Sequence, residues 1–123
     1  MSALWNDSQP IYWQLKERTL AMILDGTLAE GDALPSVRNV ASEFQLNPIT
    51  VSKSYQALVD DGLVEKRRGL GMFVCDGAQA KLVASERAKF LNEEWPAMLS
   101  RIEQLGPNVD ELPKSHGEKE SKN

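Results

Sequence analysis

One cysteine and one histidine occur in the 123 residues, and that scarcity removes several kinds of chemistry. Cys75 has no second cysteine to pair with, so packing rather than an internal disulfide must hold the fold, which suits a reducing cytoplasm. His116 sits in a polar C-terminal stretch, and no Cys or His group has the spacing of a metal site. A Ser-His-Asp constellation would need that one terminal histidine. No catalytic residues, no metal and no cofactor are expected. Asp60-Asp61 and Glu93-Glu94 are adjacent acids on helical patterns. Helical neighbours point about 100° apart, which suits solvated surface rather than an acid–base pair. Gly69-Leu70-Gly71 is too short for a phosphate loop and opens no helix. Long apolar runs are missing as well, so neither a membrane span nor a signal sequence is expected, and the chain reads as cytoplasmic.

An excess of positive charge is also lacking. Fourteen Lys/Arg stand against eighteen Asp/Glu, for a net charge of −4 and a pI of about 5.0. Residues 1–77 hold seven basic and ten acidic side chains. Any contact with double-stranded DNA must come from a local cluster, and Arg38, Lys53, Lys66, Arg67 and Arg68 supply one.

What is present centres on Leu34 to Val74. Two short helical patterns flank a tight turn, and a Gly-punctuated hairpin follows. That order predicts a winged helix-turn-helix: mainly α with a small β-wing, followed by a short helical arm. Ser36 is placed to cap a helix running to Phe44, with Val37, Val40, Ala41 and Phe44 on its apolar face. Arg38 falls in its first turn, at the positive end of the helix dipole. A cation is mildly disfavoured there, and a bound phosphate relieves it; a surface arginine paired with Glu43 or Asp32 is the plainer alternative. Asn47-Pro48 is a strong start for the second helix. Val51, Tyr55, Leu58 and Val59 form its apolar stripe, leaving Ile49, Ser52, Lys53 and Gln56 facing outward. Ser, Lys and Gln can meet base edges or phosphates, and Ile49 can touch a thymine methyl. A solvated polar face is the ordinary alternative. Gly62 is the expected stop. Leu63–Arg67 and Met72–Val74 read as paired strands, with Lys66, Arg67 and Arg68 at or near the hairpin tip. Such a tip can follow a phosphate backbone or minor groove, or its charges can keep an edge strand soluble.

These residues resemble the DNA-binding domain of the GntR family of bacterial transcription regulators. The resemblance begins at Pro10-Ile11-Tyr12 with Gln14-Leu15. It runs through Gly26, Leu28, Gly31-Asp32, Leu34-Pro35-Ser36, Arg38, Ala41, Asn47, Thr50-Val51, Tyr55, Leu58, Gly62-Leu63, Gly69, Gly71 and Phe73-Val74. By this resemblance Arg38, Thr50, Ser52 and Lys53 are DNA-contact positions, and Gly69 is the wing-tip glycine that enters the minor groove. Many family members carry arginine at the positions of Pro48 and Ser52, and those cations are absent here. Asn39 stands where the family has the glutamate of a capping box. The Asn-Pro start and short C-terminal part look like the YtrA-like subfamily. That implies a dimeric repressor, dimerisation through C-terminal helices, and a transporter-containing operon of its own as target.

The expected domains are a flexible N-terminal arm (1–8), the winged domain (9–75), a helical dimerisation region (76–112) and a disordered tail (113–123). Trp5 is expected to dock on a neighbouring surface or a partner. A first helix is predicted from about Gln9 or Pro10 to Leu24, and Leu28–Leu34 form a turn-rich connector. Ala84, Ala88, Leu91, Trp95, Met98, Ile102 and Leu105 recur in steps of four and three, with Phe90 and Leu99 widening the seam. The seam needs a cover, either its own winged domain or the same helix of a second protomer. The second is favoured, because operator dyads are read by twofold dimers. Pro96 predicts a kink or a short break near Glu94-Trp95, and Gly106-Pro107 a stop, with Val109–Leu112 as one further turn. The arm is too small to enclose a metabolite, so a small-molecule effector has room only beside the winged domain or at the dimer interface. A sequence-specific regulator of an inverted-repeat operator is the functional expectation. A winged-helix protein-interaction module is the rival, favoured by the acidic balance and the apolar seam.

Overall fold

The computed structural model describes residues 5–106; the expected turn at Val109–Leu112 and the tail carrying His116 lie outside them. The elements follow as α1 (Ile11–Leu24), α2 (Val37–Phe44), α3 (Pro48–Asp60), β1 (Val64–Arg67), β2 (Gly71–Val74) and α4 (Ala78–Lys89). A π-helical segment (Phe90–Glu94) and α5 (Trp95–Leu105) complete the order. The chain divides into two units, Met1–Ser85 and Glu86–Asn123.

In the first unit, α1, α2 and α3 enclose a core that β1, β2 and the start of α4 close. Ile23, Val51 and Leu58 are sealed from solvent. Leu15, Leu34, Val40, Tyr55, Leu63, Val64 and Val74 pack around them. The helix limits follow from local chemistry. Ser36 Oγ accepts the Asn39 N–H at 3.0 Å, so one half of the capping box survives the loss of the glutamate. Asn47 Oδ1 accepts the Ile49 N–H at 2.8 Å, ahead of Pro48 in the first turn of α3. Gly62, at φ +79°, ends α3 in a Schellman motif: its N–H donates to Val59 O, and the Leu63 N–H to Leu58 O. Between α2 and α3 the chain turns through Gln45, left-handed at φ 56° without being glycine. The connector before α2 adds a third edge to the hairpin. Ala33 bridges Phe73, and the Leu34 N–H donates to Met72 O.

Two limits differ from the sequence reading. Residues 5–8 are anchored rather than loose. Trp5 is buried, edge-on to Phe44 at 5.8 Å, with the Arg18 guanidinium over its ring. Gln14 fastens the segment, accepting the Asn6 N–H and donating to the carbonyls of Asn6 and Gln9. The second difference lies at the junction after residue 75. Ala78 and Leu82, one helical turn apart, are buried in the core cluster of the first unit. Gln79 donates to Leu24 O, and Lys81 to Asp61 O. The opening turns of α4 thus belong to the winged unit.

The second unit is helical from residue 86 to Leu105. The expected disturbance at Pro96 takes the form of a π segment. The Trp95 N–H reaches back five residues to Phe90 O. A proline ring clashes with the carbonyl four residues earlier, and a wider turn relieves that clash without ending the helix. Across the π segment the Phe90 ring centre lies 6.4 Å from that of Trp95. Leu91, Trp95, Met98 and Leu105 are exposed and Ile102 is half-buried. Gly106, left-handed, donates its N–H to Ile102 O and ends α5.

Candidate nucleic-acid interface

The site is built on α3, whose buried face fixes what its outer face presents. Val51, Ser54, Tyr55 and Leu58 point inward. Ile49, Ser52, Lys53 and Gln56 are therefore exposed, and Thr50 lies half-buried at the edge. The Tyr55 hydroxyl donates to Pro35 O at 2.7 Å and ties α3 to the entry of α2. Burial pushes its pKa up to about 12.

Arg38 is exposed in the first turn of α2 and makes no ion pair among the described residues, Glu43 and Asp32 included. Its guanidinium is thus available to a phosphate at a helix N-terminus. It lines an open groove of about 640 Å³ with Val37, Ala41, Ser42, Leu46 and Pro48, at the start of α3. Ser42 was not anticipated from the sequence. It falls four residues after Arg38, a spacing that places the two on one helix face.

Two side chains of α3 already have partners. Lys53 Nζ lies 4.2 Å from the centre of the Tyr12 ring, on α1. This cation–π contact leaves the ammonium hydrogens that point away from the ring to meet a phosphate. Gln56 Nε2 donates to Asp60 Oδ1 at 3.0 Å.

The wing is a four-rung antiparallel ladder from Val64↔Val74 to Arg67↔Gly71. Alternation puts Glu65, Arg67 and Phe73 on one face. Arg67 is held there: its guanidinium pairs with Glu65 at 2.8 Å and lies 4.3 Å from the Phe73 ring centre. It is folded back along the hairpin rather than extended at the tip. The period-two pattern of the strand carried that signal. Lys66 and Arg68 are exposed without ion pairs among the described residues. Gly69, at φ +76°, forms the turn, and nothing lies within 4 Å of where a Cβ would stand. Leu70 beside it is exposed, a residue the sequence reading did not single out.

Two capped helices set across a left-handed turn, an exposed polar face on the second, and a basic-tipped hairpin define a winged helix-turn-helix. The family described as bacterial regulatory proteins, gntR family, matches residues 11–74. The chain belongs to the GntR family of transcriptional regulators. It is 30% identical over 112 residues to the HTH-type transcriptional regulator YhcF of Bacillus subtilis, covering 91% of each chain. With the HTH-type transcriptional repressor YtrA of Bacillus subtilis it shares 32% identity over 105 residues, covering 85% of this chain and 80% of that one. A GntR family transcriptional regulator from Listeria monocytogenes superposes with a TM-score of 0.70 at 30% identity, over 86% of this chain and 91% of that one. The AraR DNA-binding domain in complex with operator ORX1 superposes with a TM-score of 0.54 at 27% identity, over 61% and 90%.

Proposed function

We propose that this regulator is a homodimeric repressor that acts in the cytoplasm on an inverted-repeat operator. Each protomer sets α3 in one major groove, with Arg38, Thr50, Ser52, Lys53 and Gln56 as contacts and Lys66, Arg68 and Gly69 serving the wing. The observation that carries this reading is the outer face of α3. It is free of the core, capped at Asn47 and accompanied by Arg38, which makes no ion pair among the described residues. Repression is supported by the name of its relative YtrA and by no feature of the site itself.

Dimerisation through the C-terminal helices is supported by their apolar seam, in which Phe90, Trp95, Met98 and Leu99 are all exposed. A seam of this kind, repeated by a twofold axis, matches the symmetry of an operator dyad. Ala84 and Ala88, with small exposed side chains on α4, are proposed as the close-approach end of the same seam. A small-molecule effector belongs to this reading as a regulator of DNA affinity, and a metabolite panel scored by melting shift is the way to find it.

The acidic balance favours one other reading, a winged-helix module that binds a protein rather than DNA. Anisotropy titration at two salt concentrations separates them. A steep salt slope with preference for one duplex supports the repressor. Weak, sequence-blind binding supports the interaction module.

A further inference from the structure

On the reading that the wing meets DNA, we propose that Leu70 is its specificity-determining residue: an apolar wedge that enters the minor groove and selects a deformable base step outside the major-groove half-site. Among the described large apolar side chains of the winged unit, only Ile49 (75%) and Leu70 (71%) are this exposed. Ile49 is on the outer face of α3. Leu70 stands in the three-residue loop that the Arg67↔Gly71 pair closes. Its backbone is fixed from one side, where its N–H donates to Arg67 O at 2.8 Å.

The surroundings leave Leu70 foremost at the tip. Gly69 and Gly71 flank it, both at positive φ, and neither has an atom within 4 Å of an added Cβ. No side chain therefore stands beside Leu70 on either chain neighbour. Arg67, which by position would share the tip, is drawn back onto Glu65 and Phe73. Lys66 and Arg68 remain to hold phosphates on the groove walls. A narrow apolar tip with two cations close by in the same hairpin has the chemistry of a minor-groove wedge. Leucine inserted at a base step partly unstacks it and bends the duplex. The cost of that bend depends on the step, being lowest at pyrimidine–purine steps, so the wedge confers preference without hydrogen bonds.

The test compares the full-length wild type with L70A and R68A, first by selection from a random duplex pool and then by anisotropy on the selected duplex. The wild type should enrich a core half-site together with a flanking pyrimidine–purine step. L70A should enrich the same core without the flanking step, and bind the wild-type duplex about tenfold more weakly at an unchanged salt slope. R68A should flatten the salt slope by about one and keep the flanking preference. Thermal melting of L70A should match the wild type, because the residue is 71% exposed and outside the core. If L70A retains the flanking step, or binds within twofold of wild type, Leu70 is not the wedge while DNA reading by α3 stands. If the wild type enriches no duplex, the wedge and the repressor reading both fall.

Discussion

Between Trp5 and Leu82 fifteen apolar side chains are buried, whereas among the described residues after Ser85 none is, and six large apolar side chains there stand exposed. Both regions carry amphipathic helices, so the difference lies in what covers the apolar stripe. In the winged unit α1, α2 and α3 cover one another, and β1, β2 and the first turns of α4 finish the enclosure. Short helices are marginal in water by themselves and take most of their stability from such packing. The π segment and α5 have the stripe without a cover among the described residues. One region covers its own apolar stripe, and in the proposed dimer a second protomer covers the stripe of the other.

The sharpest way to break this comparison is to damage the self-sufficient region. Leu58→Ala opens a cavity at a sealed position and should cost about 2–5 kcal/mol, read as a large fall in melting temperature. A small effect would mean that the winged unit does not stand on its own core. The matching change in the other region is Trp95→Ala. It should weaken self-association by about thirtyfold or more in sedimentation equilibrium, as loss of a central interface aromatic does. Secondary structure by circular dichroism should stay close to wild type. Unchanged self-association would remove the seam from the dimer interface.

Arg38→Ala sharpens the comparison from the functional side. It should lower specific DNA affinity by about 1–3 kcal/mol and leave melting unchanged, because Arg38 makes no ion pair among the described residues. Equal loss of both would make it a structural residue. The smallest effect is expected at Tyr55→Phe, which removes the bond to Pro35 O and should cost about 0.5–1.5 kcal/mol. Tyr55 also adds a pH signature. Its folded pKa of about 12 lies above the ordinary 10.0. Its contribution is thus whole below pH 10 and is lost as the pH rises towards 12, where ionisation favours the unfolded chain. The Phe variant should lack that alkaline component in melting curves.

Much of the winged unit was legible because its signals are local. Ser36, Asn47-Pro48 and Gly62 act within one turn of themselves, and the helix limits fell where they indicate. The apolar stripe of α3 was read correctly, and with it the exposed set Ile49, Ser52, Lys53 and Gln56. Ser54 was not, since a hydroxyl sealed in the core without a partner among the described residues runs against composition. What needed three dimensions was missed for that reason. The docking of Trp5 was expected, but not its seat edge-on to Phe44, nor the bond from the Asn6 N–H to Gln14 eight residues on that holds the segment. The break expected at Pro96 became a π turn because widening satisfies the proline without surrendering helix direction. Neither helical spacing nor propensity says which relief a chain adopts.

The most direct measurement is selection of bound sequences from a random duplex pool, with stoichiometry of the selected complex taken by sedimentation. An enriched inverted repeat, bound by two protomers with a spacing shared among the selected duplexes, is the expected result. A single half-site bound by one protomer, or no enrichment at all, would contradict the twofold repressor.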